Sequence, residues 1–359
     1  MLLAACATPE RATADREPPL QLDLLALTLA EPSANDGGTR AQFLAMLGRE
    51  DLFEQQERPT CAPLLHDGTP ADPVEEIARQ ANGRRIVIIN EAHERPQHRA
   101  FIASVATRLH RDGFSIYAAE TFLPSVREPR AWPSINDGTY SRDPVFGDLI
   151  RTARGVGYRF VEYEDFSEMD ETAPWQARIA QREATQAANL QHILQEHPQA
   201  RVLVHVGHAH LLERPDSNGN IWMAQRLKEA TGLDPLTIDL TRFAAPDERF
   251  AVCDPVITPS VTVDMRVASP DVTIEFGRPA WRQRAGQRIT PVPPALVHRQ
   301  ENVIVEARRT DEPDEAVPVD RLLIRATETG VLLLPPGRFR VESWGETSGW
   351  SAPVEIVVQ

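Results

Sequence analysis

The chain has 359 residues, 42% hydrophobic and 25% charged, a globular composition that excludes disordered, collagen-like and coiled-coil classes. Thirty-eight basic against 52 acidic residues leave a net charge of −14. No basic run is present to hold phosphates, so nucleic acid is excluded as a partner. The length suits two domains of roughly 150 residues each, and no apolar run reaches the roughly 18 residues of a membrane helix.

The first residues read Met1-Leu-Leu-Ala-Ala-Cys6. Leu3-Ala4-Ala5-Cys6 resembles the lipobox of bacterial lipoproteins, in which the cysteine is lipidated. Cys6 is therefore the expected lipidation site. The expected membrane contact is a lipid anchor on the periplasmic side of the outer membrane, in the bacterial cell envelope. Residues 1–40 read as a lipobox remnant and a tether, with a short helix over Leu20 to Leu29. Of the three cysteines, Cys61 and Cys253 remain. An oxidising periplasm allows them to pair, but the sequence leaves their proximity open.

The predicted elements then run in order. Residues 41–56 and 73–82 read as helices. Ile86 to Ile89 is a continuous apolar run, as expected for a strand covered on both faces. Pro96 to His110 is a helix with proline at its start. Phe114 to Ala119 is the second strand, 145–155 a helix, and Tyr158 to Tyr163 the third strand. A long helix spans 174–197, and Arg201 to Val206 is the fourth strand. A helix from Ile221 to Ala230 precedes the fifth strand, Leu236 to Leu240. Strands alternating with helices predict an α/β domain over 41–248, its mostly parallel sheet flanked by helices. After about 245 no helical period remains. Seven short apolar runs (Val261–Met265, Val272–Phe276, Val303–Arg308, Arg321–Ala326, Val331–Leu334, Phe339–Trp344 and Val354–Val358) predict a C-terminal all-β domain over 254–359, an Ig-like sandwich.

Histidines and carboxylates gather where these strands end. Strand one runs into Asn90-Glu91-Ala92-His93, strand two ends at Glu120, strand three at Glu162-Tyr163-Glu164-Asp165, and strand four runs into Gly207-His208-Ala209-His210. Ligands of open parallel sheets bind at the carboxyl ends of the strands, so four ionisable deliveries to one edge predict a site there. His98 lies seven residues before Val105, about 20° from it on the helix, and so points inward. In the long helix, Glu183 falls about 40° from Ile179 and Arg182 about 60° to the other side. A carboxylate thus sits within the buried stripe, with a guanidinium at its rim. His205 falls inside strand four and reads as a core residue. Residues 121–157 carry Phe122, Trp132, Tyr140 and Phe146; they form either a lid over the strand ends or an ordinary surface connection. Other templates fail. His93-Glu94 with His98 has the wrong spacing for a zincin and is broken by Pro96. There is no G-x-S-x-G elbow, P-loop or zinc-finger cysteine pair.

The ordered set Ile86-Val-Ile-Ile-Asn-Glu91-Ala-His93 with His98, Glu120 at a strand end, Arg182-Glu183-Ala-Thr-Gln-Ala-Ala-Asn189-Leu190 and Val206-Gly207-His208-Ala-His210-Leu211 resembles the motifs of the ChaN-like haem-binding lipoproteins. That family shares a superfamily with the Tiki proteases and the erythromycin esterases. The resemblance covers about residues 80–245. Asn90 stands where the motif has glycine, Glu183 where it has aspartate, and His208 is additional. The resemblance implies a shared pocket with divergent uses, and three functions follow from it and from the residues. The first is hydrolysis of a small-molecule or peptide substrate. There His93 or His210 is the base, and Glu91 and Glu120 orient water or, with His93, His208 and His210, hold a divalent metal. Arg182, held by Glu183, stabilises an oxyanion or binds a substrate carboxylate. The second is haem or iron binding through His93, His98 or His210. The third is an envelope interaction module with a degenerate site.

Overall fold

The structure of the protein is a computed structural model. It describes residue 17, residues 19–20 and residues 38–359 except 168, 169 and 171. Cys6, nearly all of the expected tether, and the Leu20 to Leu29 helix beyond Leu20 lie outside the described residues.

A seven-stranded sheet fills the centre. Its strands are β1 (Ile86–Glu91), β2 (Phe114–Ala119), β3 (Arg159–Glu162), β4 (Arg201–Gly207), β5 (Leu236–Asp239), β6 (Ala251–Val252) and β7 (Met265–Ala268). They lie in the order β3-β2-β4-β1-β5-β7-β6. Every pair is parallel except β6–β7. The register sets Glu91 of β1 against Gly207 of β4, and Ala119 of β2 against both His205 and Glu162. The carboxyl ends of β3, β2, β4 and β1 therefore lie within about two residues of one another.

Helices α2 (Pro73–Ala81), α3 (Pro96–Arg111) and α4 (Pro144–Val156) cover one face. Helices α5 (Trp175–Glu196) and α6 (Met223–Thr231) cover the other. This two-sided cover is why β1 and β4 read as unbroken apolar runs: Ile86 and Ile88 face α5 and α6, while Val87 and Ile89 face α3. Sequence signals start the helices. Asp72 accepts the amides of Val74 and Glu75 ahead of Pro73, and Asp143 accepts the amide of Phe146 ahead of Pro144. A side-chain oxygen at this position satisfies helix N–H groups that have no partner within the helix.

Three expectations are corrected. Helix α1 (Thr39–Met46) ends ten residues before the predicted position 56, followed only by a single 3₁₀ turn, Glu50–Leu52. At Gly48 the backbone has φ +67° and passes so close to the C-terminal strands that a Cβ would sit 2.6 Å from the Arg321 carbonyl. Leu44, Met46 and Leu47 pack on Ile304 and Leu323, so α1 is joined to the C-terminal part of the chain. The sheet also continues past residue 248. The predicted sandwich strand near Met265 is instead β7, parallel to β5. Finally, a short helix, Ala280–Arg284, interrupts the region predicted to be all β.

The C-terminal strands are β8 (Arg288–Pro291), β9 (Val303–Arg309), β10 (Asp320–Ile324), β11 (Val331–Leu334), β12 (Gly337–Gly345), β13 (Gly349–Trp350) and β14 (Val354–Val358). All pair antiparallel. Five form one sheet, β10-β9-β12-β13 with β14 also on β12, and β8 pairs with β11.

Cys61 and Cys253 form a disulfide spanning 192 residues of sequence. It ties the segment before α2 to the β6–β7 edge of the sheet. A cross-link over so long a loop removes much freedom from the unfolded chain. Replacing both cysteines with alanine is expected to cost about 2–4 kcal/mol and to lower the melting temperature in scanning calorimetry. An unchanged melting temperature would show that the bond constrains nothing.

Candidate active site

Glu91 ends β1 with a fully buried carboxylate. Arg99 on α3 grips both of its oxygens, at 2.8 and 2.7 Å. The same guanidinium donates to Asp143 at 2.9 Å and to the His93 carbonyl at 3.1 Å. His205 places Nε2 3.0 Å from Glu91 Oε2, and its Nδ1 accepts the Tyr117 hydroxyl at 2.9 Å. Burial alone would raise the Glu91 carboxyl, but Arg99, His205 and His93 outweigh it and hold it well below the usual range. Glu91 is therefore a carboxylate and can only accept. It follows that His93 Nδ1 carries the proton it donates to Glu91 Oε1, at 2.8 Å, so that in the neutral ring Nε2 is the accepting nitrogen.

Three neighbours fix the His93 ring. Tyr140 stacks on it, centroids 3.8 Å apart. His208 meets it edge-on at 5.5 Å. Beneath it lies Gly207, where a Cβ would come 2.7 Å from His93 Nε2 and 3.1 Å from Glu120 Oε2. Only the bare backbone of Gly207 lets the His93 ring and the Glu120 carboxylate approach it this closely. His208, exposed at the rim, holds a left-handed φ of +33°, the kind of strain that collects at functional sites.

Glu120 follows β2. Its Oε2 accepts the Gly207 amide at 2.7 Å, and its Oε1 accepts from Arg182 at 2.5 Å. Arg182 also grips Glu164, which Gln186 holds from the next turn of α5. His210 lies between two carboxylates, with Nδ1 2.8 Å from Glu183 Oε1 and Nε2 3.5 Å from Glu120 Oε1. Arg182 Nη1 stands 3.4 Å from that second nitrogen. Burial disfavours a charged His210 ring, but Glu120 and Glu183 prevail and push its pKa up to about 10. In Glu120 burial is likewise outweighed, by His210, Arg182 and His93, and its carboxyl is held well below the usual range.

The structure gathers Glu91, His93, Glu120, Arg182, Glu183, His208 and His210 at the strand ends, and it redistributes their partners. The expected Arg182–Glu183 pair does not form. Glu183 instead holds His210 and accepts the amide of Met223 at the start of α6, at 2.8 Å. Arg182 pairs with Glu120 and Glu164. His98 points inward but away from the site. Its Nδ1 accepts the Ala92 amide at 3.1 Å and its Nε2 meets Ser269 at 2.9 Å. Burial drives its pKa well below the usual range. It braces the loop that carries His93, with no nitrogen left for a ligand. Asn90 has a similar duty, donating to the His208 carbonyl and to Asp239 and accepting the Leu240 amide.

Arg99 and Asp143 were not singled out from the sequence; Tyr140 was named only within the 121–157 segment and Glu164 only within the acidic end of strand three. Arg99 had a signal: it lies seven residues before Ala106, about 20° away on the helix, and Ile102 and Ala106 widen the buried stripe beyond Phe101, Val105 and Leu109. Glu164 had one in its position directly after a strand.

These donors fit a metal or haem poorly. Glu91 is held by Arg99 and His93, with His205 Nε2 3.0 Å away, and His210, its pKa raised, lies between two carboxylates. A cation would have to displace a guanidinium or share the site with it. Among the described residues, no group of three or more His, Cys, Asp or Glu side chains is arranged to hold a metal ion.

No family model matches the chain, and no curated protein matches it. Several solved structures share a limited likeness. The type III effector HopBA1 aligns at 15% identity and a TM-score of 0.41, over 60% of this chain and 100% of its own. The MARTX toxin effector domain RRSP from Vibrio vulnificus CMCP6 aligns at 15% identity and a TM-score of 0.35, over 56% of this chain and 39% of its own. The C-terminal region of Pasteurella multocida toxin aligns at 12% identity and 0.33, over 80% and 46%.

Two outcomes are expected. In Gly207→Ala, whose backbone φ of −89° suits any residue, the added methyl should drive His93 off Glu91 while circular dichroism stays native. A crystal structure with the His93–Glu91 bond intact would contradict this. The second concerns pH. His210 is raised from 6.5 to about 10, so its stabilisation is complete below pH 6.5 and is lost as the pH rises through 10. The melting temperature of the wild type should fall between pH 7 and 10, and that of His210→Gln should fall less over the same range. Parallel curves would mean that His210 is not protonated in the folded state.

Proposed function

We propose that the chain is a hydrolase acting on an ester or peptide carbonyl, with the Glu91–His93 pair activating water. The observation that carries this reading is the His93–Glu91 hydrogen bond, with the other ring nitrogen of His93 and Glu120 Oε2 both brought close to the bare Gly207 backbone. In this reading a water bound at His93 Nε2 gives it one proton and turns its lone pair towards a substrate carbonyl.

The water oxygen bonds to the carbonyl carbon while its O–H proton passes to His93 Nε2. Glu91 stabilises the resulting imidazolium through Nδ1–H. When the tetrahedral centre collapses, the bond to the leaving oxygen or nitrogen breaks and His93 returns its proton there. Arg182 and the His210 imidazolium act at one remove. Both are paired to Glu120 and keep it ionised and aimed, which makes them positioning residues. His210, already protonated, is not the base. Five carboxylates (Glu91, Glu120, Glu164, Glu183 and Asp143) face three cations (Arg99, Arg182 and His210), so the site's field favours a neutral or cationic substrate.

This reading belongs with the hydrolytic branches of the superfamily that the motifs resemble, and the absence of a free ligating nitrogen on His98 and His210 weighs against the haem-binding branch. A buried disulfide supports placement in an oxidising compartment, consistent with a lipid anchor at Cys6 in the bacterial envelope.

The test is turnover of a panel of chromogenic esters and fluorogenic peptides. His93→Ala and Glu91→Gln should each lower kcat by about 10²–10⁴-fold with native circular dichroism, and dialysis against a chelator should leave the wild-type rate unchanged. Equal rates in wild type and His93→Ala would remove His93 from the chemistry.

A further inference from the structure

At the amino end of β3, away from the Glu91–His93 pair, lies an open cavity of about 840 Å³. Its walls are residues 126–131, the last turns of α4, the start of β3 and the end of α5. β3 is an edge strand of the seven-stranded sheet. Five arginines line the cavity, Arg127, Arg130, Arg151, Arg154 and Arg159, in a chain whose net charge is −14.

Three of them are neutralised by carboxylates. Arg127 pairs with Glu162, Arg130 with Glu128 and Asp137, and Arg151 with Asp148 and Glu312. The other two are not hydrogen-bonded to an acid. Arg154 spends its N–H groups on the carbonyls of Val126, Arg130 and Trp132, at 2.9, 2.7 and 3.0 Å. It packs over the Phe160 ring at 5.2 Å, and Asp137, already held by Arg130, stands 4.0 Å away. Arg159, exposed at the mouth, meets the His197 ring instead of a carboxylate. The negative helix ends nearby are already covered. Gly157 and Tyr158 cap the end of α4 through Ala153 and Arg154, and Arg85 donates to the Leu194 and His197 carbonyls of α5.

We propose that this cavity binds a phosphorylated small molecule, up to a nucleotide in size, with Arg159 and His197 on the phosphate and Arg154 supplying the field behind them. A guanidinium matches two phosphate oxygens at once. The volume lies within the roughly 300–1,000 Å³ typical of small-molecule sites. A compact anion can reach this local charge, whereas a long nucleic acid would cross the acidic remainder of the surface.

The experiment is isothermal titration of the full chain with pyrophosphate and, separately, ADP, at low and high salt. Saturable one-site binding is expected, weaker at high salt and at least about tenfold weaker in Arg159→Gln. Binding should be lost in the Arg159→Gln/His197→Gln double variant. Both positions lie at the surface end of their elements, so circular dichroism should stay native; if the double variant misfolds, Arg159→Gln alone decides. Tighter binding of ADP than of pyrophosphate would identify a nucleoside moiety, and equal binding a phosphate group alone. No saturable heat at millimolar ligand, or wild-type affinity in Arg159→Gln, overturns the proposal. His93→Ala should bind like the wild type, which keeps the outcome separate from that of the hydrolase reading.

Discussion

The candidate site depends on one buried guanidinium. Arg99 is fully enclosed, and its N–H groups join three parts of the chain: the Glu91 carboxylate at the end of β1, the His93 carbonyl in the following loop, and Asp143, which caps α4. Such a group gains little net stability, because desolvating the ions cancels most of their attraction. Its value is geometric. Removing Arg99 would leave two buried carboxylates facing each other, and losing one partner of a buried ion pair costs about 3–5 kcal/mol. With Arg99 in place, Glu91 stays ionised and His93 is confined to a single tautomer.

The same logic separates the histidines. Five lie near the strand ends, and their partners give them different roles. His98 is neutral because burial, reinforced by Arg95 and Arg58, outweighs the pull of Glu91. His210 is cationic because two carboxylates flank it. His205 links Tyr117 to Glu91 within the core. Of these, His93 combines a carboxylate on Nδ1 with an Nε2 set close to the bare Gly207 backbone. Within one cluster, the general base is selected by what each ring already touches.

That distinction explains how far the sequence could be read. The parallel sheet, its flanking helices and the gathering of Glu91, His93, Glu120 and His210 at one edge were legible, because strand ends and helix stripes follow from periodicity. Pairing was not. Glu183 lies one residue from Arg182, yet the helix turns them about 100° apart, so Glu183 meets His210 while Arg182 reaches Glu120 and Glu164. Burial of Arg99 was missed because a charged residue beside a histidine reads as a helix surface unless the stripe is drawn through Ile102 and Ala106. The limit at residue 248 was misplaced because β7 is a short strand after a long loop, and local pattern does not reveal which sheet a strand joins.

The C-terminal strands take part in the site's architecture. The segment carrying Tyr140 is held from outside the α/β part: Ser134 bridges to Ala316, the Ile135 amide bonds the Glu315 carbonyl, and the Val317 amide bonds the Pro133 carbonyl. Arg321, fully buried and paired with Glu306, donates to the Arg142 carbonyl at 3.0 Å. Two residues away Tyr140 lies on His93, and one residue away Asp143 receives Arg99. On the far side, Gly48 lets α1 approach the Arg321 carbonyl. The roof over His93 is therefore braced by β10 and the loop before it, and α1 braces β10 in turn. Residues distant in sequence thus bear on one imidazole.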